Sequence, residues 1–156
     1  MRWRLLWVLS LLFIPVLSFY GRNLQALLHS LLQRQYADLL VSLMLLVMTG
    51  LFLAWLSSKR RIHWQSALVV ILVFFIGPLF LERFEERIHF ILFGLLGFSS
   101  RQLFRYFPAL LLTYAVSGLD ELWQWWLPDR VGDWRDVFMN MFAGFVAVWI
   151  AERGRR

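Results

Sequence analysis

Leu39 to Ser58 is a run of twenty residues, "LLVSLMLLVMTGLFLAWLSS", without one charged side chain. As a helix it would rise about 30 Å, the thickness of the hydrocarbon core of a bilayer. A helix that is apolar all round must be enclosed by protein or lie in lipid. Other apolar runs follow the same plan: Leu5 to Tyr20 behind "MRWR", Trp64 to Leu81 behind "KRR", Ile88 to Phe98, Phe107 to about Gly118, and Val137 to Ala151. Six such runs in 156 residues leave too little polar surface for a soluble domain. Charged residues make up 17% of the chain, against about a quarter in soluble domains. The expected fold is therefore an all-α integral membrane protein, a polytopic bundle of about six transmembrane helices forming a single domain over residues 1–156.

The first run follows a basic start, as a secretory signal would. No small-residue cleavage site follows it, and Phe19 and Tyr20 are bulky where small residues are needed, so the run is expected to be an uncleaved first helix. In the next segment Leu24, Leu27, Leu28, Leu31 and Leu32 recur at helical spacing, with Arg22, His29, Gln33 and Arg34 on the other side. That pattern predicts a separate amphipathic helix, lying in the membrane interface or packed under the other helices. Gly77-Pro78 and "ERFEER" end the third run. The fourth has only eleven apolar residues before "SSRQ", so it either borrows a turn at each end or is a re-entrant hairpin.

A net charge of +6 and a pI near 10.7 could suggest a nucleic-acid partner. The basic residues instead sit in short clusters between apolar runs, where membrane topology accounts for them and nucleic acid is not expected. With six spans, Arg2, Arg4, Lys59, Arg60, Arg61, Arg101, Arg105, Arg153, Arg155 and Arg156 share the side of the N-terminus. Arg22, Arg34, Arg83, Arg87, Arg130 and Arg135 fall on the other. Positive charge gathers on the cytoplasmic side, so both termini are expected on the cytoplasmic side of the plasma membrane. Zero cysteines exclude a disulfide framework and thiolate metal sites.

The stretch "DELWQWWLPDRVGDWRDVFMNMFAG", residues 120–144, departs from this plan. It holds five of the ten carboxylates and runs directly into the last apolar run. In the six-span map His89, Asp120, Glu121, Gln124, Asp136 and Asn140 meet at one depth near the outer face. Spacings of three and four let Asp120, Glu121 and Gln124 share a helical face. Asp136, Asn140, Ala143, Gly144, Ala147 and Ala151 form a polar-then-small stripe, and small residues allow close helix approach, so Ala143, Gly144 and Ala147 are expected to pack inward. Polar groups placed at membrane depth are costly and usually functional. Arg130 and Arg135 are available to pair with the acids. Asp129 and Asp133 fit a solvated loop. The tryptophans of "LWQWW" fit an interfacial aromatic belt, with a sugar or lipid platform as the alternative.

"DELWQWWLPDR" followed by "DWRDVFMNMFAG" resembles the signature of the VanZ-like family, in which an acidic pair and a glutamine precede an arginine, then Asp, Asn and Gly on a final helix. The matching positions are Asp120, Glu121, Gln124, Arg130, Asp136, Asn140 and Gly144. Upstream, "EERIHFILFGLLG" is similar to the family's charged pair before a histidine, here Glu86-Arg87 and His89, with arginine where the family carries lysine. The resemblance covers about residues 85–150, while residues 1–80 share only hydrophobicity. It implies a bacterial envelope membrane protein, the name-giving member being linked to low-level teicoplanin resistance.

Three functions follow as alternatives. A binding or remodelling protein would use the outer pocket for a lipid-linked envelope precursor or a glycopeptide, with Arg130 on an anionic group and membrane lipids around it. A membrane hydrolase or transferase would use His89 or Glu121 as base, Asp136 to orient it, and Arg130 with Asn140 to stabilise developing charge. Against that reading, the motif carries no cysteine, no well-placed serine and no HExxH zinc signature. His89, Glu121 and Asp136 could hold a metal, but the spacing is not diagnostic, and no metal or cofactor is expected. The third alternative is a structural partner within a membrane complex.

Overall fold

The computed structural model describes residues 2–58, 64–81, 84–128 and 132–155. Among these it is all-helical, with six helices and no strand. They are α1 (Arg2–Leu31), α2 (Arg34–Ser58), α3 (Trp64–Leu79), α4 (Phe84–Leu103), α5 (Tyr106–Trp126) and α6 (Trp134–Arg153).

One sequence expectation is corrected, and one pair of alternatives is decided. The amphipathic stretch is not a separate interfacial helix: it is the last part of the 30-residue α1. A lone glycine at 21 weakens a helix by about 1 kcal/mol but does not stop one. Gly21 instead lies buried along a face with Ser10, Ile14 and Ser18. The chain breaks later, at residues 32–33, before Arg34 opens α2. Of the two alternatives for the fourth run, the structure takes the one that borrows residues at each end, not the re-entrant hairpin. The run is the centre of α4, a continuous 20-residue helix. Its polar ends remain helical because their side chains find partners: the Ser99 hydroxyl donates to the Leu95 carbonyl at 2.7 Å, and Trp7 donates to Ser100 at 3.1 Å.

α3 widens into a π-helical stretch at Ile71–Ile76, directly before Gly77 and Pro78. Proline has no N–H to give the carbonyl four residues earlier, which is that of Phe74. The Thr49 hydroxyl of α2 donates to this oxygen at 3.4 Å. At the start of α5, Pro108 falls in the first turn, where its missing N–H costs nothing. α6 is capped by the Asp133 side chain, which accepts from the Arg135 amide at 2.9 Å.

α4 is the axis of the bundle and packs on α1, α5 and α6. Its approach to α6 is a backbone contact. A Cβ on Gly97 would lie 2.5 Å from the Gly144 carbonyl oxygen, and a Cβ on Gly144 would overlap the Thr113 methyl of α5. Asn140, Ala143, Gly144, Ala147 and Ala151 are all buried, as the small-residue stripe predicts. Val146, Val148 and Ile150 are buried too, so α6 is enclosed on more than that one face.

The contacts also sort the charges. At one end of the bundle, Trp3 lies against Phe98, Arg101 pairs with Glu152, Arg153 donates to Gln65 and Arg155 donates to the Arg101 carbonyl. At the other end Asp38 faces Arg87, Glu86 pairs with Arg135, and His89 meets Asp120. Among the described residues, two helical segments are long and apolar enough to cross a membrane, Arg2–Leu31 and Arg34–Ala54. α4, α5 and α6 have 20, 21 and 20 residues but carry ionisable side chains within their length.

Candidate functional site

Three helices supply one buried polar cluster at the acid-rich end. α5 presents Asp120, Glu121 and Gln124 on a single face, as their three- and four-residue spacing requires. α4 contributes His89 and α1 contributes Ser18; all five residues are buried. The Ser18 hydroxyl donates to Asp120 Oδ1 at 2.5 Å and lies 3.0 Å from His89 Nε2. His89 Nε2 is 3.5 Å from Asp120 Oδ2. Gln124 Nε2 donates to both acids, reaching Asp120 Oδ2 and Glu121 Oε1 at 3.1 Å each. Glu121 Oε2 accepts the backbone N–H of Asp133 at 3.0 Å, tying α5 to the N-terminus of α6.

Proton bookkeeping fixes the direction of these bonds. The Ser18 hydroxyl has one hydrogen and two acceptors in reach, Asp120 Oδ1 at 2.5 Å and the Ile14 carbonyl of its own turn at 3.1 Å, and the shorter contact to a carboxylate takes it. The contact between Ser18 and His89 therefore requires Nε2 to carry the hydrogen, so the ring donates to Ser18 Oγ. Gln124 has two amide hydrogens, one for each acid. A buried carboxylate is costly unless it is paired and hydrogen-bonded, and every donor in the cluster serves that need.

A second set of charges forms the rim. Arg135 Nη2 donates to Glu86 Oε1 at 3.1 Å, and its Nε lies 3.6 Å from Asp136 Oδ1. Arg87 Nε donates to the Leu81 carbonyl at 3.0 Å, while its Nη1 faces Asp38 at 3.6 Å. Below the rim the Ser117 hydroxyl donates to the Val137 carbonyl at 3.0 Å, a second link between α5 and α6.

Of the residues singled out in the sequence, His89, Asp120, Glu121 and Gln124 are thus joined directly. Asp136 lies at the rim beside Arg135. Asn140 is buried one turn further along α6, and among the described residues the cluster's hydrogen bonds do not reach it. Gln124 is shared by two acids, Asp120 and Glu121. Arg130 and Asp129 lie outside the described residues. Among the described residues no group of three or more His, Asp or Glu side chains is placed to hold a metal ion.

Ser18 is the residue that sequence reading missed. Its signal was present: Ser10, Ile14, Ser18 and Gly21 recur along one face of an otherwise apolar run, the same kind of stripe that marks α6. Arg135 and Glu86 were missed as a pair, because 49 positions separate them.

The class is thus an all-helical bundle with two segments long and apolar enough to cross a membrane, and with acids, an amide and a histidine gathered at one end. The chain belongs to the VanZ/LLP1 family, whose profile matches residues 5–153. That match takes in the first eighty residues, where hydrophobicity alone had been legible, and so includes Ser18. No curated protein and no solved structure matches the chain.

Proposed function

We propose that this protein is a multi-pass protein of the bacterial plasma membrane whose acid-rich end faces outward and binds a lipid-linked envelope precursor or a glycopeptide. Support for the membrane setting comes from the helix flanks. Leu51, Phe107, Leu111 and Phe138 are each more than two-thirds exposed, an apolar surface that water would not tolerate at this scale. The six helices would then cross as six spans, with both termini in the cytoplasm.

The observation that carries the binding reading is the adjacent pair Asp120–Glu121, buried together and bridged by one Gln124 amide. Two neighbouring carboxylates are an expensive way to pack helices, since apolar residues of similar size would serve as well or better. Such a pair suits the recognition of a donor-rich headgroup, sugar or peptide at the membrane surface. The exposed Trp126 and Trp134 beside it supply flat apolar area for the rest of such a ligand.

A membrane hydrolase or transferase is the second reading, favoured by Ser18 lying between His89 and Asp120. The bond directions oppose the usual serine–histidine chemistry, because His89 donates to Ser18 and Asp120 takes the hydroxyl hydrogen. An enzyme built here would use Asp120 as the base.

The deciding experiment compares a deletion strain carrying wild-type protein with one carrying Glu121→Ala. Cell-wall precursor pools and teicoplanin sensitivity are measured in both. Binding predicts changed sensitivity with unchanged pools. Accumulation of one precursor would replace it with the enzyme, and no change in either would leave a structural role.

A further inference from the structure

The opposite end of the bundle holds a cleft that the proposed outer site does not involve. It measures about 700 Å³ and is walled by the C-terminal end of α4, the link to α5, the first turn of α5, and the tail of α6. Arg101, Arg105 and Arg155 line it, against a single acid, Glu152.

These three arginines are not equivalent. Arg101 is nearly buried, and its Nε and Nη2 both engage Glu152 while Nη1 donates to the Phe104 carbonyl at 2.9 Å. Its charge is neutralised and its planar group is held in place, so Arg101 and Glu152 form the floor. Arg155 spends one N–H on the Arg101 carbonyl at 3.3 Å and leaves its remaining donors facing outward. Arg105 is exposed, and its side chain makes no hydrogen bond or ion pair among the described residues. The cleft therefore offers two uncompensated guanidinium groups above a neutral floor.

Its rim is apolar. Phe107 is 79% exposed and Leu111, one turn on, is 72% exposed, while Phe104 adds a third exposed ring or chain at the mouth. Cations in a cleft joined to an exposed apolar helix face complement one kind of partner, an amphiphile with an anionic head. We propose that this cleft is a binding site for the phosphodiester headgroup of an anionic membrane lipid, whose acyl chains lie along the Phe107–Leu111 face of α5. Guanidinium groups match phosphate oxygens in bidentate fashion, which a zwitterionic headgroup satisfies less well because it carries its own cation. The proposal shares the membrane setting of the reading above but is independent of the outer site.

The test is lipid retention by native mass spectrometry. Protein is extracted from vesicles of equal phosphatidylglycerol and phosphatidylcholine, as wild type, Arg105→Gln, Arg155→Gln and the double variant. Arg34→Gln, an exposed arginine at the other end, serves as control. Wild type and Arg34→Gln should retain phosphatidylglycerol in preference to phosphatidylcholine. Each cleft variant should lose that preference by roughly fivefold, the worth of one basic residue near an anionic surface. Melting in detergent should be unchanged in Arg105→Gln, whose side chain bonds nothing among the described residues, and nearly so in Arg155→Gln, which gives up one long, exposed bond to the Arg101 carbonyl. Equal retention in wild type and the double variant would overturn the site. Displacement of the lipid by millimolar inorganic phosphate alone would overturn the lipid assignment and make this a phosphate site. A change of teicoplanin response with Glu121→Ala bears on the outer site only, so the two proposals fail separately.

Discussion

Ser18 on α1 donates its hydroxyl hydrogen to Asp120 on α5, 102 positions away, at 2.5 Å. The bond closes the cluster on the side of the first helix and makes the N-terminal run part of the candidate site. It also fixes His89 as a donor toward Ser18, with consequences for both stability and chemistry.

Ser18→Ala should therefore destabilise the bundle by about 1–3 kcal/mol, because Asp120 loses a donor in a place water does not reach. Ser10→Ala is the control. Ser10 is equally buried and reaches the Leu6 carbonyl of its own turn, as Ser18 reaches that of Ile14, but among the described residues it has no bond to another helix. Thermal melting of both variants in detergent distinguishes them. Equal losses would mean that the long-range bond contributes nothing beyond that of an ordinary buried serine.

Gly97→Ala should separate α4 from α6, since the new methyl would press on the Gly144 backbone, which cannot rotate away as a side chain could. A loss of about 1–3 kcal/mol is expected from such overpacking. Gly50→Ala, where a Cβ meets nothing within 4 Å, should gain about 0.5–1 kcal/mol from reduced chain freedom in the unfolded state. If Gly97→Ala melts with wild type, the close approach of α4 and α6 is not a constraint on the fold.

The orientation is open to direct chemistry because the chain has no cysteine of its own. Trp126→Cys at the acid-rich end should react in intact cells with a membrane-impermeant maleimide. Arg155→Cys at the basic end should react only after permeabilisation. The reverse pattern would invert the topology, and labelling of both in intact cells would show that the two ends do not lie on opposite sides of a membrane.

Helix formation was legible from the chain alone. Apolar runs of span length carry their own local physics, as does the i, i+4 grouping of Asp120 with Gln124; Asp133, which fitted a solvated loop, proves to cap the last helix. The inward stripe of α6 was readable for the same reason, since small residues at helical spacing mark a face whatever it meets. Local signals were less dependable at boundaries. The amphipathic segment fused with α1 because nothing there stops a helix, and α4 extended through its polar ends because Trp7 and Glu152, distant in sequence, satisfy them.

Which faces meet is another matter, and only the tertiary structure decided it. A serine in a greasy helix reads the same whether it bonds only its own turn, as Ser10 does, or reaches another helix as well, as Ser18 does. Gln124 could have served any acid within a turn or on a neighbouring helix; packing gave it Asp120 and Glu121. The reason is physical. Periodicity records how a side chain points from its own axis, but a hydrogen bond also needs the partner helix at the right depth and rotation, and these are set by contacts such as Gly97 on Gly144 that depend on both helices at once.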